Sequence, residues 1–191
     1  MRQIVIFPNK TLRVKTPEIV KVEEKLLEEI ESLKEVLNLA ENGAGLAATQ
    51  IGIGKRFFGM FVEGKRKIKV FVNPKITKTV GEKVIPMMKF ENGNQETFLE
   101  GCMSFPDMFG EVKRFLKIEV EWDEIENKKL IHKKESLEGL PAIVWQHESE
   151  HLDGILFVDH IKEEDGKFYL WKDKEKVRMD VNEVLGKEKI V

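Results

Sequence analysis

The segment that most restricts the fold runs from Pro141 to Gly154, Pro-Ala-Ile-Val-Trp-Gln-His-Glu-Ser-Glu-His-Leu-Asp-Gly. Proline suits a first helical turn, glycine offers a stop, and Ile143, Val144 and Leu152 supply apolar positions between them, so the spacing predicts a helix. On it His147 and His151 lie four residues apart, just over one turn. Both imidazoles therefore project from one face, with Glu148 directed toward the same opening. Two imidazoles so placed can share one metal ion. The competing reading is a solvated helix face on which His and Glu pair at helical spacing. The chain holds 4 histidines. His132, in an alternating strand, and His160, after Val-Asp, are expected at the surface or in ordinary hydrogen bonds.

Upstream, Val22, Leu26, Ile30, Leu33 and Leu37 recur every three or four residues among Glu and Lys, which predicts an amphipathic helix over about 22–41. After Asn42-Gly43 the period changes. Phe57 to Val62 and Ile68 to Asn73 read as strands around the hairpin signal Glu63-Gly64-Lys65-Arg66-Lys67. Val80 to Met87, Leu116 to Trp122 and Leu130 to Lys134 alternate apolar and charged residues, as in sheets with one wet face. The expected class is α+β, with antiparallel or mixed sheets packed around the His-bearing helix and an N-terminal amphipathic helix. From Glu163 the chain is rich in Lys, Asp and Glu and is expected to be an exposed helix or partly frayed.

At 191 residues the chain suits one domain, 1–191, ending in this charged tail. Charged residues are 35% of it, yet 32 Lys+Arg against 34 Asp+Glu leave a formal net charge of -2. That balance removes the electrostatic case for direct nucleic-acid binding. Cys102 is the single cysteine, the N-terminus shows no signal-peptide apolar region, and no window is apolar enough to span a membrane. A reducing cytoplasm is the expected compartment, with an organelle matrix as the alternative, and no membrane partner is expected.

Two histidines leave a catalytic metal one protein ligand short. The metzincin pattern would place a third histidine where Phe157 stands, so that reading fails. A gluzincin would use a downstream Glu, of which the tail offers several. The remaining candidate is Cys102 in Glu100-Gly101-Cys102-Met103-Ser104, where a neighbouring glycine and Pro106 mark a turn. A buried small hydrophobe is the alternative for that thiol. A third segment, Gly43-Ala44-Gly45-Leu46-Ala47-Ala48-Thr49-Gln50-Ile51-Gly52, allows close backbone approach and offers an uncharged amide donor. Taken alone it reads more simply as a helix C-terminus followed by a tightly packed turn. No phosphate-loop Lys-Ser/Thr follows its glycines.

Together and in this order, the three segments resemble the signature motifs of peptide deformylases: Gly-x-Gly-x-Ala-Ala-x-Gln, Glu-Gly-Cys-x-Ser and Gln-His-Glu-x-x-His. Ile6 to Arg13 around Pro8, Val72-Asn73-Pro74 and Gly154-Ile155-Leu156-Phe157 are similar as well, so the resemblance covers most of 1–161. It implies that Cys102, His147 and His151 are metal ligands and that Glu148 is the catalytic carboxylate. It also implies that Gln50 and the backbone N–H of Met103 form the oxyanion site. The implied metal is Fe2+, with Zn2+, Ni2+ or Co2+ as replacements. Glu150 stands where the family usually has Asp, and Met103 where it usually has Leu.

The chemistry that follows is hydrolysis of an N-formyl-Met peptide, releasing formate, with the ribosome as a further expected partner. Gly43, Gly45 and Cys102 would line a cleft narrow enough to admit formyl and exclude acetyl. Ile143 and Val144 are candidates for the methionine pocket, and equally for ordinary core. The alternatives are a His-Glu-x-x-His metallopeptidase with an acidic third ligand, and a catalytically silent relative that binds peptide N-termini.

Overall fold

The computed structural model describes residues 2–40, 43–62, 67–89 and 92–190. After a 3₁₀ turn at Lys10–Arg13, helix α1 spans Glu24–Leu39, followed by strands β1 (Gly45–Ala47), β2 (Phe57–Val62) and β3 (Lys67–Val80). Next come β4 (Met87–Lys89), β5 (Gln95–Thr97), β6 (Glu100–Cys102), β7 (Phe105–Gly110), β8 (Lys117–Glu126) and β9 (Lys129–Glu138). Helices α2 (Leu140–His151) and α3 (Phe157–Glu163) then precede β10 (Phe168–Lys172), β11 (Glu175–Met179), α4 (Val181–Leu185) and a final 3₁₀ turn. Two larger sheets form, β1-β2-β3-β8-β9 and β11-β10-β7-β6, beside the small pair β4-β5. Every pairing between the named strands is antiparallel, which makes the class α+β without a mixed sheet.

Helix α1 buries Leu26, Ile30, Leu33 and Leu37, one stripe at helical period, against β1 and β2. Gly59 of β2 permits the close fit, because a Cβ there would stand 2.7 Å from Leu33 Cδ2. Helix α2 lies between the two larger sheets. Toward the five-stranded sheet it inserts Trp145, whose ring meets Phe58 and Phe71 at centroid distances of 5.1 and 4.6 Å and Trp122 at 5.6 Å, all edge-on. On the other side His147 and His151 reach Glu100 and Cys102 of β6.

Several expected boundaries shift for physical reasons. The turn residues 63–66 lie outside the described residues, but β2 and β3 pair antiparallel on either side of them. The β3 strand does not stop before Pro74. Asn73 adopts φ 51° at a register shift, and its side chain donates to Ile19 O and Asp123 Oδ2 while accepting from Ile19 N, which carries the strand onward to Val80. Val80 to Met87 is accordingly not a strand: Gly81 turns the chain at φ 79°, and only Val84 bridges, to Arg114. Strands β8 and β9 run longer than expected because Asn127 and Lys128, both at positive φ, close a two-residue hairpin.

The described residues after Glu163 are not one exposed helix. They include the β10-β11 hairpin, and β10 pairs with β7. Phe168, Val181 and Val184 are buried with Leu12, Phe105 and Phe157. Arg13 ties the end of the chain down, its Nε donating 2.6 Å to Glu188 Oε1 while its guanidinium also holds Asp159.

Candidate metal centre

The sequence Leu140-Pro141 starts α2, with proline in the first turn, and the helix carries its polar residues deep into the protein. His147, Glu148 and His151 are 8, 4 and 1% exposed, so the solvated-face reading is wrong here. His151 Nε2 stands 3.2 Å from His147 Nε2 and 3.2 Å from Cys102 Sγ. Those separations are close to the edges of a tetrahedron whose centre lies about 2.0–2.3 Å from nitrogen and sulfur ligands. Cys102, His147 and His151 could therefore hold one metal ion, and they form the one such His/Cys/Asp/Glu group found among the described residues.

Behind these donors lies a buried ionic layer. His147 Nδ1 is 2.7 Å from Glu100 Oε1, which leaves Nε2 facing Cys102 and His151. Glu100 is gripped by the Arg114 guanidinium, through Nε at 2.9 Å and Nη2 at 2.6 Å. Arg114 Nη1 donates to both oxygens of Glu150 at 2.7 Å, and His160 Nε2 lies 3.0 Å from Glu150 Oε1. Burial would raise the Glu100 and Glu150 carboxyls, but Arg114 outweighs it and holds both below the usual range, helped by His147 at Glu100 and His160 at Glu150. Burial lowers His151, as does the charge of His147, whereas bonds to Cys102 and Glu100 overcome burial and raise His147.

Glu148 has no such support. Burial raises its carboxyl to about 7, His147 opposes the rise and Glu100 adds to it, and Oε2 finds no hydrogen-bond partner among the described residues. The carboxylate fits against Gly45, where a Cβ would stand 2.7 Å from Glu148 Cγ. A Cβ at Gly43 would likewise stand 2.9 Å from Met103 Sδ. Gly45 belongs to β1 and Gln50 to a 3₁₀ turn, Ala48–Ile51, so this segment is a short strand and turn rather than the end of a helix. Gln50 Oε1 accepts from Ala47 N at 2.8 Å. This fixes the amide so that Nε2 donates 3.3 Å to Cys102 Sγ and 3.3 Å to Ser104 Oγ.

Gly43, Gly45, Gln50, Cys102, Met103, Ile143, Val144, His147 and Glu148 all line one cavity of about 520 Å3. His151 sits just beneath it, bonded as described. His132 is exposed near Glu121 and Asp123, and Phe157 packs in the core. Arg114 is the site residue that sequence reasoning missed. It stands in Lys113-Arg114-Phe115, where nothing in the local spacing separates a buried guanidinium from a solvated one.

Such a cavity, with a potential metal group beside a buried carboxylate on a His-Glu-x-x-His helix, belongs to the hydrolase class. The chain belongs to the polypeptide deformylase family, whose profile matches residues 1–167. A peptide deformylase of Thermotoga neapolitana is 35% identical over 162 residues, covering 85% of this chain and 88% of that protein. Peptide deformylase 2 of Clostridium acetobutylicum is 34% identical over 163 residues, 85% of this chain and 97% of that one. Among solved structures, the peptide deformylase of Thermotoga maritima superposes with a TM-score of 0.69 at 33% identity, over 84% of this chain and 97% of that one. That of Synechococcus elongatus in complex with actinonin gives 0.70 at 27% identity, over 98% and 86%. No helix among the described residues is long and apolar enough to cross a membrane.

Proposed function

We propose that this chain removes the N-formyl group from the N-terminal methionine of newly made polypeptides, releasing formate, with Cys102, His147 and His151 holding one divalent metal ion. The observation that carries this reading is the convergence of Cys102 Sγ and His147 Nε2 on His151 Nε2, each 3.2 Å from it, beneath a cavity that Glu148 also lines. Fe2+ is the metal the family resemblance implies, with Zn2+, Ni2+ or Co2+ as substitutes. A bound divalent ion would supply Lewis acidity and lower the pKa of its water toward about 7.

Glu148, buried and lining the same cavity as Cys102 and His147, would take a proton from the attacking water and return it to the departing amine. The oxyanion that develops on the formyl oxygen would be met by Gln50 Nε2 and the backbone N–H of Met103. The Gln50 amide is oriented by Ala47, and meeting the oxyanion would redirect one of the two N–H bonds it otherwise gives to Cys102 and Ser104. Gly43 and Gly45 narrow the cleft at the reacting end, and Ile143 and Val144 offer an apolar wall to the methionine side chain. Glu150, held by Arg114 and His160, takes the place of the family's usual Asp one methylene further out. In this reading residues 1–191 act as a single catalytic domain in the cytoplasm or an organelle matrix, with the ribosome, where formylated N-termini emerge, as a partner.

The peptidase alternative required an acidic third ligand, and the thiol 3.2 Å from His151 removes that need. The test is to incubate metal-loaded protein with N-formyl-Met, N-acetyl-Met and internally extended peptides and to identify products by mass. Formate should come from the first, the acetylated peptide should be a poor substrate, and internal bonds should survive. Cleavage of internal bonds without formate would favour the peptidase, and binding without product the silent relative.

A further inference from the structure

Strand β9 is an edge of the five-stranded sheet, at the far end from β1, and among the described residues no strand pairs with its outer side. It runs 10 residues in unbroken register with β8, without the bulge or proline that blunts many long edges. Lys134, Glu135 and Ser136 at its middle are exposed. One bond fixes the direction of its free backbone groups. Gly139 N–H donates 2.8 Å to Leu116 O, one step beyond the Lys117–Glu138 pair. Hydrogen-bonded and non-bonded pairs alternate along an antiparallel ladder, so Ile131, Lys133, Glu135 and Leu137 turn their N–H and C=O toward β8. Leu130, His132, Lys134, Ser136 and Glu138 turn theirs outward, where nothing in the sheet receives them.

We propose that this edge pairs antiparallel with the same edge of a second copy of the chain, about a two-fold axis at Lys134, so that the two five-stranded sheets become one. A two-fold perpendicular to the sheet keeps opposed residues on one face, and because side chains alternate between faces the pairing must be centred on a residue. The charge pattern of β9 selects which. Centred on Lys134, the strand sets Lys133 opposite Glu135 and Ile131 opposite Leu137, each twice by symmetry. Its outward backbone groups then meet the outward groups of the copy in register. Centred on Lys133 it would set Ile131 against Glu135 and His132 against Lys134; centred on His132, Ile131 against Lys133; centred on Glu135, Lys133 against Leu137. Glu135 has no ion pair within the chain among the described residues, and Lys133, 3.0 Å from Glu126, keeps 36% of its side chain exposed to meet a second carboxylate. Lys134 meets its own copy at the axis, the single like-charge contact. Acting alone, a mid-edge lysine keeps an edge unpaired. Here its repulsion enters once, with a long side chain free to reach solvent, whereas the Lys–Glu and Ile–Leu contacts enter twice.

The experiment is sedimentation equilibrium of the full chain from micromolar to near-millimolar concentration, at low salt. The native protein should show a monomer–dimer equilibrium. Glu135→Lys sets lysine against Lys133 at both symmetric positions and should raise the dissociation constant about tenfold or more. Adding Lys133→Glu to that variant makes the facing charges opposite again and should recover most of the lost affinity, which also shows that the single variant is folded. Amide exchange locates the contact. At dimer-forming concentration the amides of His132, Lys134 and Ser136 should slow relative to dilute protein, while those of Lys133 and Glu135, bonded to β8 in both states, should not change. A monomer at every concentration would overturn the pairing and leave Lys134 as the guard of a free edge. A dimer indifferent to Glu135→Lys, a doubly substituted variant that recovers nothing, or unchanged His132, Lys134 and Ser136 amides would overturn it as well.

Discussion

The two sides of α2 both face into the protein and are chemically opposite. Toward the five-stranded sheet, Trp145 is enclosed by Phe58, Phe71 and Trp122, a contact set held by non-directional apolar burial. Toward the four-stranded sheet, His147 and Glu150 are fixed by Glu100 and Arg114 through bonds of 2.6–2.9 Å that depend on direction as well as distance. A buried guanidinium between two carboxylates is a poor route to stability, because desolvation offsets most of the attraction. Its use is orientation: Arg114 fixes Glu100, Glu100 fixes His147 Nδ1, and Nε2 is left facing its partner donors. The apolar side anchors the helix and the ionic side aims it. Glu148 fits neither set: it lies against Gly45 of β1, and its Oε2 has no hydrogen-bond partner among the described residues.

Removing the anchor should have the largest effect on stability. Trp145→Ala should cost about 4 kcal/mol in urea unfolding, by loss of burial and creation of a cavity, while the folded fraction binds one metal ion as tightly as before. Arg114→Met should cost about 3 kcal/mol, because it leaves Glu100 and Glu150 buried without their cation. Unlike the tryptophan variant, it should also weaken metal affinity by about 10- to 100-fold, measured by competition with a chelating dye. Equal losses of affinity in the two variants would show that the two sides of the helix are not separable.

A smaller effect distinguishes Glu148 from its paired neighbours. In metal-free protein its carboxyl is raised from 4.5 to about 7, so its contribution to stability is fully present below about pH 4.5 and is lost as pH rises through about 7. Glu148→Gln has no charge to bury. Between pH 5 and 8 the metal-free variant should therefore gain on the order of 2–3 kcal/mol relative to the native protein. Parallel stability curves for the two would contradict the burial assigned to this carboxyl.

How much of this was legible in the sequence follows the range of each interaction. His147, Glu148 and His151 are related by one helical turn, so local spacing alone brings them together. Cys102 and Gln50 reach the same point from distant strands and turns, and only the combination of three motifs pointed to them. Arg114 sits 14 residues from Glu100 and 36 from Glu150, and no periodicity connects residues across such intervals. In β3, Pro74 reads as a strand end, whereas Asn73 at positive φ turns that position into a bulge. In the last segment, the Lys, Asp and Glu residues concealed Phe168-Tyr169-Leu170-Trp171, of which Phe168 is buried in the core while Trp171 is exposed. The turn that closes this hairpin, Asp173-Lys174 at positive φ, lacks the glycine that usually announces one.

The claim on which the account depends is that Glu148 moves the proton while Cys102, His147 and His151 hold the metal without it. The direct measurement is formate release from an N-formyl-Met peptide by metal-loaded Glu148→Gln, expressed per bound ion. The account predicts one ion per chain in both proteins and turnover reduced about 100-fold or more in the variant. Turnover near that of the native protein with the ion still bound would contradict it.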